Sequence, residues 1–292
     1  MACCSGAIAA QIESAKQSAT KKVEELKVKF TEMAAQGGEI NIEPVKKDVK
    51  MQLAMMEDYA NNPSKLLGCV PCGCCLPLGE LGNVFRELAA SFAGIVTVFT
   101  NGAIDTLVGF MNAVIRNLRG AVANLQSSYE SLKDAGPLFS SIQAGLSDPS
   151  KKATALADLI AFRQRAALDK TSQTVGSVVE EMNKIATSPK LKEVMDVIGK
   201  LAIFIGEAPG KIRKAVQSTL SALSIIPCLS SMLGGAQQML DSLEGFDQMF
   251  NADAVNKILK YASANKGVSP SSITGPISGL DSLLVQAEKM LK

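Results

Sequence analysis

Residues 8–33 read IAAQIESAKQSATKKVEELKVKFTEM, and this stretch sets the fold class. Ile8, Ile12, Ala15, Ala19, Val23, Leu26, Phe30 and Met33 recur every three or four residues, the spacing that keeps one stripe of a 3.6-residue helix apolar. Lys21, Lys22, Glu24, Glu25 and Lys29 fill the remaining faces, and Gly37-Gly38 ends the pattern. A second helix is expected after Pro44, which a first helical turn accepts because the donor it lacks has no intrahelical acceptor there. Val45, Val49, Leu53 and Met56 form its stripe, and Asn61-Asn62-Pro63 stop it.

Working outward, helical period dominates and strand alternation is nearly absent. A long helical pattern runs from about Leu81 to Asp134, with a bend expected at Asn101-Gly102. Gly136-Pro137, Asp148-Pro149, Ser188-Pro189, Pro209-Gly210, Gly234-Gly235 and the Gly267–Pro276 stretch mark further boundaries, each a place where a helix gains a donor-free residue or a left-handed end. The last helix carries Leu280, Leu283, Leu284, Ala287 and Leu291 on one face, with Pro276 placed in its first turn. The sequence therefore predicts an all-α, multi-helix bundle with one or more long amphipathic helices. Its expected organisation is an N-terminal amphipathic helical region over 1–67, a Cys/Pro/Gly-rich connector over 68–79, and a helical bundle over 80–292 that forms one domain with 1–67 or stands beside it. The expected core includes Ile12, Val23, Leu26, Phe30, Phe92, Val96, Phe99, Leu107, Ile115, Leu118, Ile198, Ile203, Leu220, Leu223, Leu283 and Leu284.

Composition bounds the chemistry. The 292 residues are 47% hydrophobic, 20% charged and 4% aromatic, with no Trp and no His. That apolar fraction supplies a core. The formal charge of +2 provides neither the field of a nucleic-acid binder nor an acidic solvating tail. Without His the chain lacks the commonest general base, the imidazole metal ligand and the usual sensor of pH near neutrality. Most hydrolase triads are thereby excluded, and nothing implies a cofactor.

The mean hydropathy of +0.17 raises the question of a membrane span. Leu88–Ile104 is an uncharged run of 17 residues interrupted by Ser91, Thr97, Thr100, Asn101 and two glycines. Ala215–Leu240 is long enough to cross a bilayer, yet it holds five Ser, one Thr, three Gln, Gly234-Gly235 and Pro227. Polar groups at that density are costly in lipid, so both read first as core helices, with conditional insertion as the alternative. No secretory signal pattern is visible, which makes a cytoplasmic chain the simplest expectation. Gly94, Gly102, Gly109, Ala113 and Gly120 fall on roughly one side of the long central pattern. Each interior Gly gives up roughly 0.5 to 1 kcal/mol relative to Ala, so a tight backbone contact, a bend or a conformational change is expected there.

The cysteines are the sharpest local signal. Six of seven fall in two clusters, Cys3-Cys4 and Cys69, Cys72, Cys74 and Cys75, the second set within GCVPCGCCLPLG at 68–79; Cys228 stands alone. A disulfide framework spreads its cysteines along a small secreted domain. A zinc knuckle fits Cys69 and Cys72, but adjacent cysteines seldom supply the second pair of a tetrahedral site. A redox Cys-x-x-Cys expects a strand before it and a helix directly after. S-acylation asks only for accessible thiols among small and apolar residues beside an amphipathic element, and inert loop cysteines remain the plain alternative. The connector resembles the cysteine-rich linkers of palmitoylated SNARE-type and cysteine-string proteins, over the connector alone.

Other motifs fail. Gly206-Glu207-Ala208-Pro209-Gly210-Lys211 is one residue short of a phosphate loop and Ile212 stands where magnesium needs a hydroxyl. Adjacent carboxylates at Glu24-Glu25, Glu57-Asp58 and Glu180-Glu181 point to different helix faces. Lys211, Arg213 and Lys214 are candidates for contact with anionic groups, without aromatic partners for bases. The expected function is that of a non-enzymatic helical protein, cytoplasmic and peripheral to a membrane. It is anchored by acylation at Cys3, Cys4, Cys69, Cys72, Cys74 and Cys75, with Ile8, Ile12, Val23, Leu26 and Phe30 as a membrane or partner face. The expected partners are membrane lipids and a homo-oligomer or helical protein, not nucleic acid. The alternatives are a structural or assembly subunit and a helical pore-former.

Overall fold

A computed structural model describes residues 2–35, 40–63, 65, 79–221, 241, 259, 263 and 266–292, less the side chains of 2–7, 99, 216 and 219–221. The helices are α1 (Ala2–Ala35), α2 (Glu43–Asn61), α3 (Gly79–Thr100), α4 (Ala103–Lys133), α5 (Gly136–Ser147), α6 (Lys152–Ala166), α7 (Leu168–Ala186), α8 (Pro189–Ser221) and α9 (Pro270–Leu291). No strand occurs among the described residues. The all-α expectation holds.

Local chemistry explains most of the boundaries. Pro44, Pro137 and Pro270 each stand in a first turn. Gly102, at φ +73°, makes the left-handed turn that separates α3 from α4, so the expected bend is a full break. Asp148 accepts hydrogen bonds from the Ser150 amide at 3.0 Å and hydroxyl at 2.7 Å, capping the short 3-10 turn Pro149–Lys151 that leads into α6. Two proline expectations need correction. α8 runs through Pro209, because Leu201, Phe204, Ala208, Ile212 and Ala215 continue one buried stripe across it, and packing along that stripe outweighs one missing donor. Pro276 lies inside α9, which starts at Pro270 instead. There the Thr274, Ser278 and Ser282 hydroxyls donate to the carbonyls four residues before them.

The chain forms two compact units that interleave along the sequence. Unit 1 comprises Met1–Glu39, Phe110–Thr187 and Lys257–Lys292, and unit 2 comprises Ile40–Gly109 and Ser188–Asn256. The sequence reading marks boundaries at 67 and 80 and leaves open whether 1–67 and 80–292 form one domain. The units follow which apolar stripes meet, and stripe partners distant in sequence carry no local signal.

In unit 1, α9 is the central element, packing against α1, α5, α6 and α7, while α5 also packs on α1 and α6. Ile12, Val23, Leu26, Phe30, Phe162, Val175, Leu280 and Leu284 are buried there. In unit 2, α3 packs between α2 and α8, with Phe85 and Phe92 fully buried and stacked near Tyr59 and Phe204 at 5.5 and 5.3 Å. Of the expected core, Val96, Leu107, Ile115 and Leu118 are also buried, and Ile198 and Leu283 are half-buried. Ile203 is 62% exposed, because the buried face of α8 passes through Leu201 and Phe204 on either side of it. Phe99, Leu220 and Leu223 fall outside the described side chains.

Candidate functional site

The cysteines come first because the sequence singles them out. Cys3 and Cys4 lie in the opening turn of α1, with their side chains outside the described set. Cys69, Cys72, Cys74, Cys75 and Cys228 lie outside the described residues altogether, as do Gly234-Gly235 and most of Ala215–Leu240. α3 begins at Gly79, four residues after Cys75. Among the described residues, Gly79–Val98 is the one helical stretch long and apolar enough to cross a membrane by length and composition, and 44% of its most apolar window is buried in the fold. Among the described residues, no three Cys, Asp or Glu side chains converge as a metal site.

The apolar face of α1 serves the fold. Ile12, Val23, Leu26 and Phe30 are buried in unit 1 and Ile8 is half-buried, and α1 packs on α9 and α5. In this folded state the partner of that face is the chain itself, and lipid reaches it only if unit 1 opens. Polar contacts hold the outer side of α1. The Tyr129 hydroxyl on α4 donates to Glu24 at 3.1 Å, and the Lys27 ammonium sits 4.2 Å from the Tyr129 ring centre.

Lys211, Arg213 and Lys214 are exposed on α8. Lys211 pairs with Glu207 at 3.0 Å, one turn back. Arg213 projects to the opposite side of the helix from Lys211, since two residues advance about 200°, so the three do not make one cradle. The phosphate-loop look-alike 206–211 is continuous helix, with no loop amides to bind an anion.

Sequence reasoning did not find the groove that α3 and α8 leave in unit 2. It measures about 350 Å³ and is lined by Leu88, Gly94, Ile95, Val98, Ile203 and Phe204, with Glu87, Lys200, Glu207 and Lys211 at its edges. A methyl group placed on Gly94 would meet nothing within 4 Å, and the same holds at Gly102, Gly109 and Gly120. Among the described residues no close backbone contact meets these glycines, and of the expected outcomes the bend is found, at Gly102. Among the described residues the tight glycines are elsewhere, and at Gly82 on α3 a methyl would lie 3.3 Å from the Ala60 carbonyl oxygen of α2. At Gly145 on α5 a methyl would overlap the Ala155 methyl of α6 and lie 3.0 Å from Leu291 of α9.

Charge in each unit is paired at helix contacts. Arg163 on α6 reaches Asp281 at 3.4 Å and Glu288 at 2.5 Å on α9. Hydrogen bonding from Lys292, with Arg163 adding to it, holds the Glu288 carboxyl below its ordinary range. Lys46 on α2 binds Asp105 on α4 and Glu43 on its own helix, and Asp105 is the main reason its ammonium is held above the usual range. A second polar array runs along α4. Asn117 donates to Glu181 at 2.8 and 3.0 Å, Asn124 to Thr174 at 3.1 Å, and Ser128 meets Thr171 at 2.8 Å. Positions 117, 124 and 128 thus place a polar seam between α4 and α7, a pattern readable in the sequence only once those two helices are known to be neighbours. The chain matches no family model, no curated protein and no solved structure.

Proposed function

We propose that this is a non-enzymatic helical protein that works at a lipid surface, cytoplasmic and peripheral to the membrane, held there by long acyl chains on its clustered cysteines. The observation that carries the reading is adjacency: Cys69, Cys72, Cys74 and Cys75 stand immediately before α3, whose Gly79–Val98 stretch is apolar and less than half buried. Thiols beside an apolar helix are the setting in which S-acylation occurs. At about 0.8 kcal/mol per buried CH₂ one chain binds weakly and two or more anchor stably, and two clusters supply that surplus. The expected experiment is membrane flotation of the full chain expressed in eukaryotic cells. The native chain floats, and the variant with Cys3, Cys4, Cys69, Cys72, Cys74 and Cys75 replaced by Ser stays folded and remains soluble. A six-Ser variant that floats like the native chain removes the acyl anchor and transfers the role to the apolar helices.

A second reading, assembly with a helical partner or a second copy, rests on the α3/α8 groove. Ile203 and Met195, 62% and 46% exposed, project from α8, and Gly94 leaves room for an approaching side chain. If neither form of the chain associates with membranes, this reading takes precedence.

A further inference from the structure

Among the described junctions between consecutive helices, that of α6 and α7 alone has neither Gly nor Pro. Residues 162–171 read FRQRAALDKT, with no Gly, no Pro and several strong helix formers, so local preference favours one continuous helix over Lys152–Ala186. The chain instead breaks at Ala167, which adopts φ 43° and ψ 44°, and it is the one non-glycine residue with positive φ among those described. A left-handed alanine is disfavoured by the clash of its Cβ with the following carbonyl. No side chain caps the start of α7 at Ala167.

Packing of α6 and α7 on α9 buries Phe162, Ala166 and Leu168 around the break, and its polar cap comes from α4. A helix that stops leaves its last carbonyls without intrahelical donors. Here the Ser128 hydroxyl donates to the Ala166 carbonyl at 2.6 Å and the Ser127 hydroxyl to the Arg165 carbonyl at 3.4 Å. Both serines lie outside α6, so α4 supplies the cap that the local sequence lacks. Ser128 is fully buried and also meets Thr171, in the first turn of α7. One side chain therefore touches both sides of the break. In a continuous helix those same carbonyls would accept from the amides of Asp169 and Lys170, and the hydroxyls would be released.

The geometry points to a conformational switch: Lys152–Ala186 has two states, the bent one latched by Ser127 and Ser128 of α4 and a straight one in which α6 and α7 form a single helix. Local preference drives the straight state and a tertiary cap opposes it, which is the arrangement of a bistable element. The α4–α7 seam through Asn117, Asn124 and Ser128 consists of side-chain hydrogen bonds that water can replace, while straightening must also part α6 or α7 from its apolar packing on α9. The inference is independent of acylation.

The test is a distance measurement in the full chain. Nitroxides are placed on ketone-bearing unnatural residues at the exposed positions Thr154 and Ser177, which leaves the native cysteines untouched. A straight helix holds the two positions about 35 Å apart along its axis. The native chain is expected to give the shorter, bent distance. Ser127→Ala with Ser128→Ala raises the straight population at least tenfold, and adding Ala167→Gly, which removes the Cβ clash, restores the bent distance. Ala167→Val, which keeps both hydroxyls but resists the left-handed conformation, also populates the straight form. Folded serine and valine variants that keep only the bent distance overturn the switch. So does unfolding of both variants in place of straightening, since the bend is then a condition of the fold and not one of two states.

Discussion

Gly145 and Gly94 show how differently the two units are finished. In unit 1 the glycine is where α5, α6 and α9 close on one another, with no room for a methyl group. In unit 2 the glycine faces an open groove beside an exposed Ile203. Unit 1 also spends its polar residues between helices, through Arg163 with Asp281 and Glu288 and through the α4–α7 seam. Unit 2 joins α2 to the start of α4 through Lys46 and Asp105 and packs rings and aliphatic chains between α2, α3 and α8, and among its described residues Ile203 and Met195 stay exposed. The same residue type thus marks a closed core in one place and an available surface in the other, and only the position of neighbouring helices tells them apart.

The largest effect is expected from Phe92→Ala. This ring is fully buried and packs on Phe204, and removal of a buried aromatic costs about 3–5 kcal/mol. Hydrogen exchange should show protection lost in α2, α3 and α8 while α6, α7 and α9 keep theirs. Equal loss in both sets would contradict the division into units.

Gly145→Ala comes next. Forcing a methyl against Ala155 should cost about 1–3 kcal/mol in denaturant unfolding, because a rigid neighbouring methyl cannot move aside as a flexible side chain does. A neutral result would show that α5 and α6 separate readily.

Arg163→Met breaks the ion pairs from α6 to α9 while keeping an apolar stem. Loss of hydrogen bonds to charged groups that retain partial solvent contact should cost about 1–2 kcal/mol. The pH dependence follows from Glu288, whose pairing holds its carboxyl below the ordinary range. Its contribution is present above the unfolded carboxyl value, where the group is ionised in both states, and is lost as pH falls through the depressed folded value. Arg163→Met should therefore flatten the acid limb of a thermal-stability profile, and an unchanged acid limb would remove that pair from the account.

The smallest effect carries the opposite sign. Gly94→Ala should stabilise unit 2 by about 0.5–1 kcal/mol, since the helix gains and nothing is displaced. If the α3/α8 groove receives a partner, Gly94→Leu should weaken self-association in sedimentation while leaving the monomer folded.

Much of this fold was readable beforehand because its cues are local. The α1 stripe from Ile12 to Met33, the Pro44 start of α2, the turn at Asn101-Gly102 and the Pro189 start of α8 each depend on a few consecutive residues. What escaped depends on neighbours. Pro209 was a plausible stop until the stripe across it found α3, and Ala167 gives no local sign of a break because its cap is supplied by Ser127 and Ser128 in another helix. The same reason explains the glycine stripe, whose periodicity shows a small-residue face but not whether anything lies against it. Of the candidate site, the position of Lys211 on a helix is legible, and the structure adds its pairing with Glu207. The face through Ile12, Val23, Leu26 and Phe30 was legible as apolar, and its burial against α9 and α5 required the structure.

The central claim is that acyl chains on the cysteines hold the protein at a membrane, and neutral hydroxylamine tests it most directly because it cleaves thioesters and leaves the polypeptide intact. Native protein isolated on membranes from eukaryotic cells should lose mass equal to a whole number of long acyl groups, mapped to Cys69–Cys75 and Cys3-Cys4, and should move to the soluble fraction in the same treatment. An unchanged mass, with the chain still on the membrane, contradicts the account.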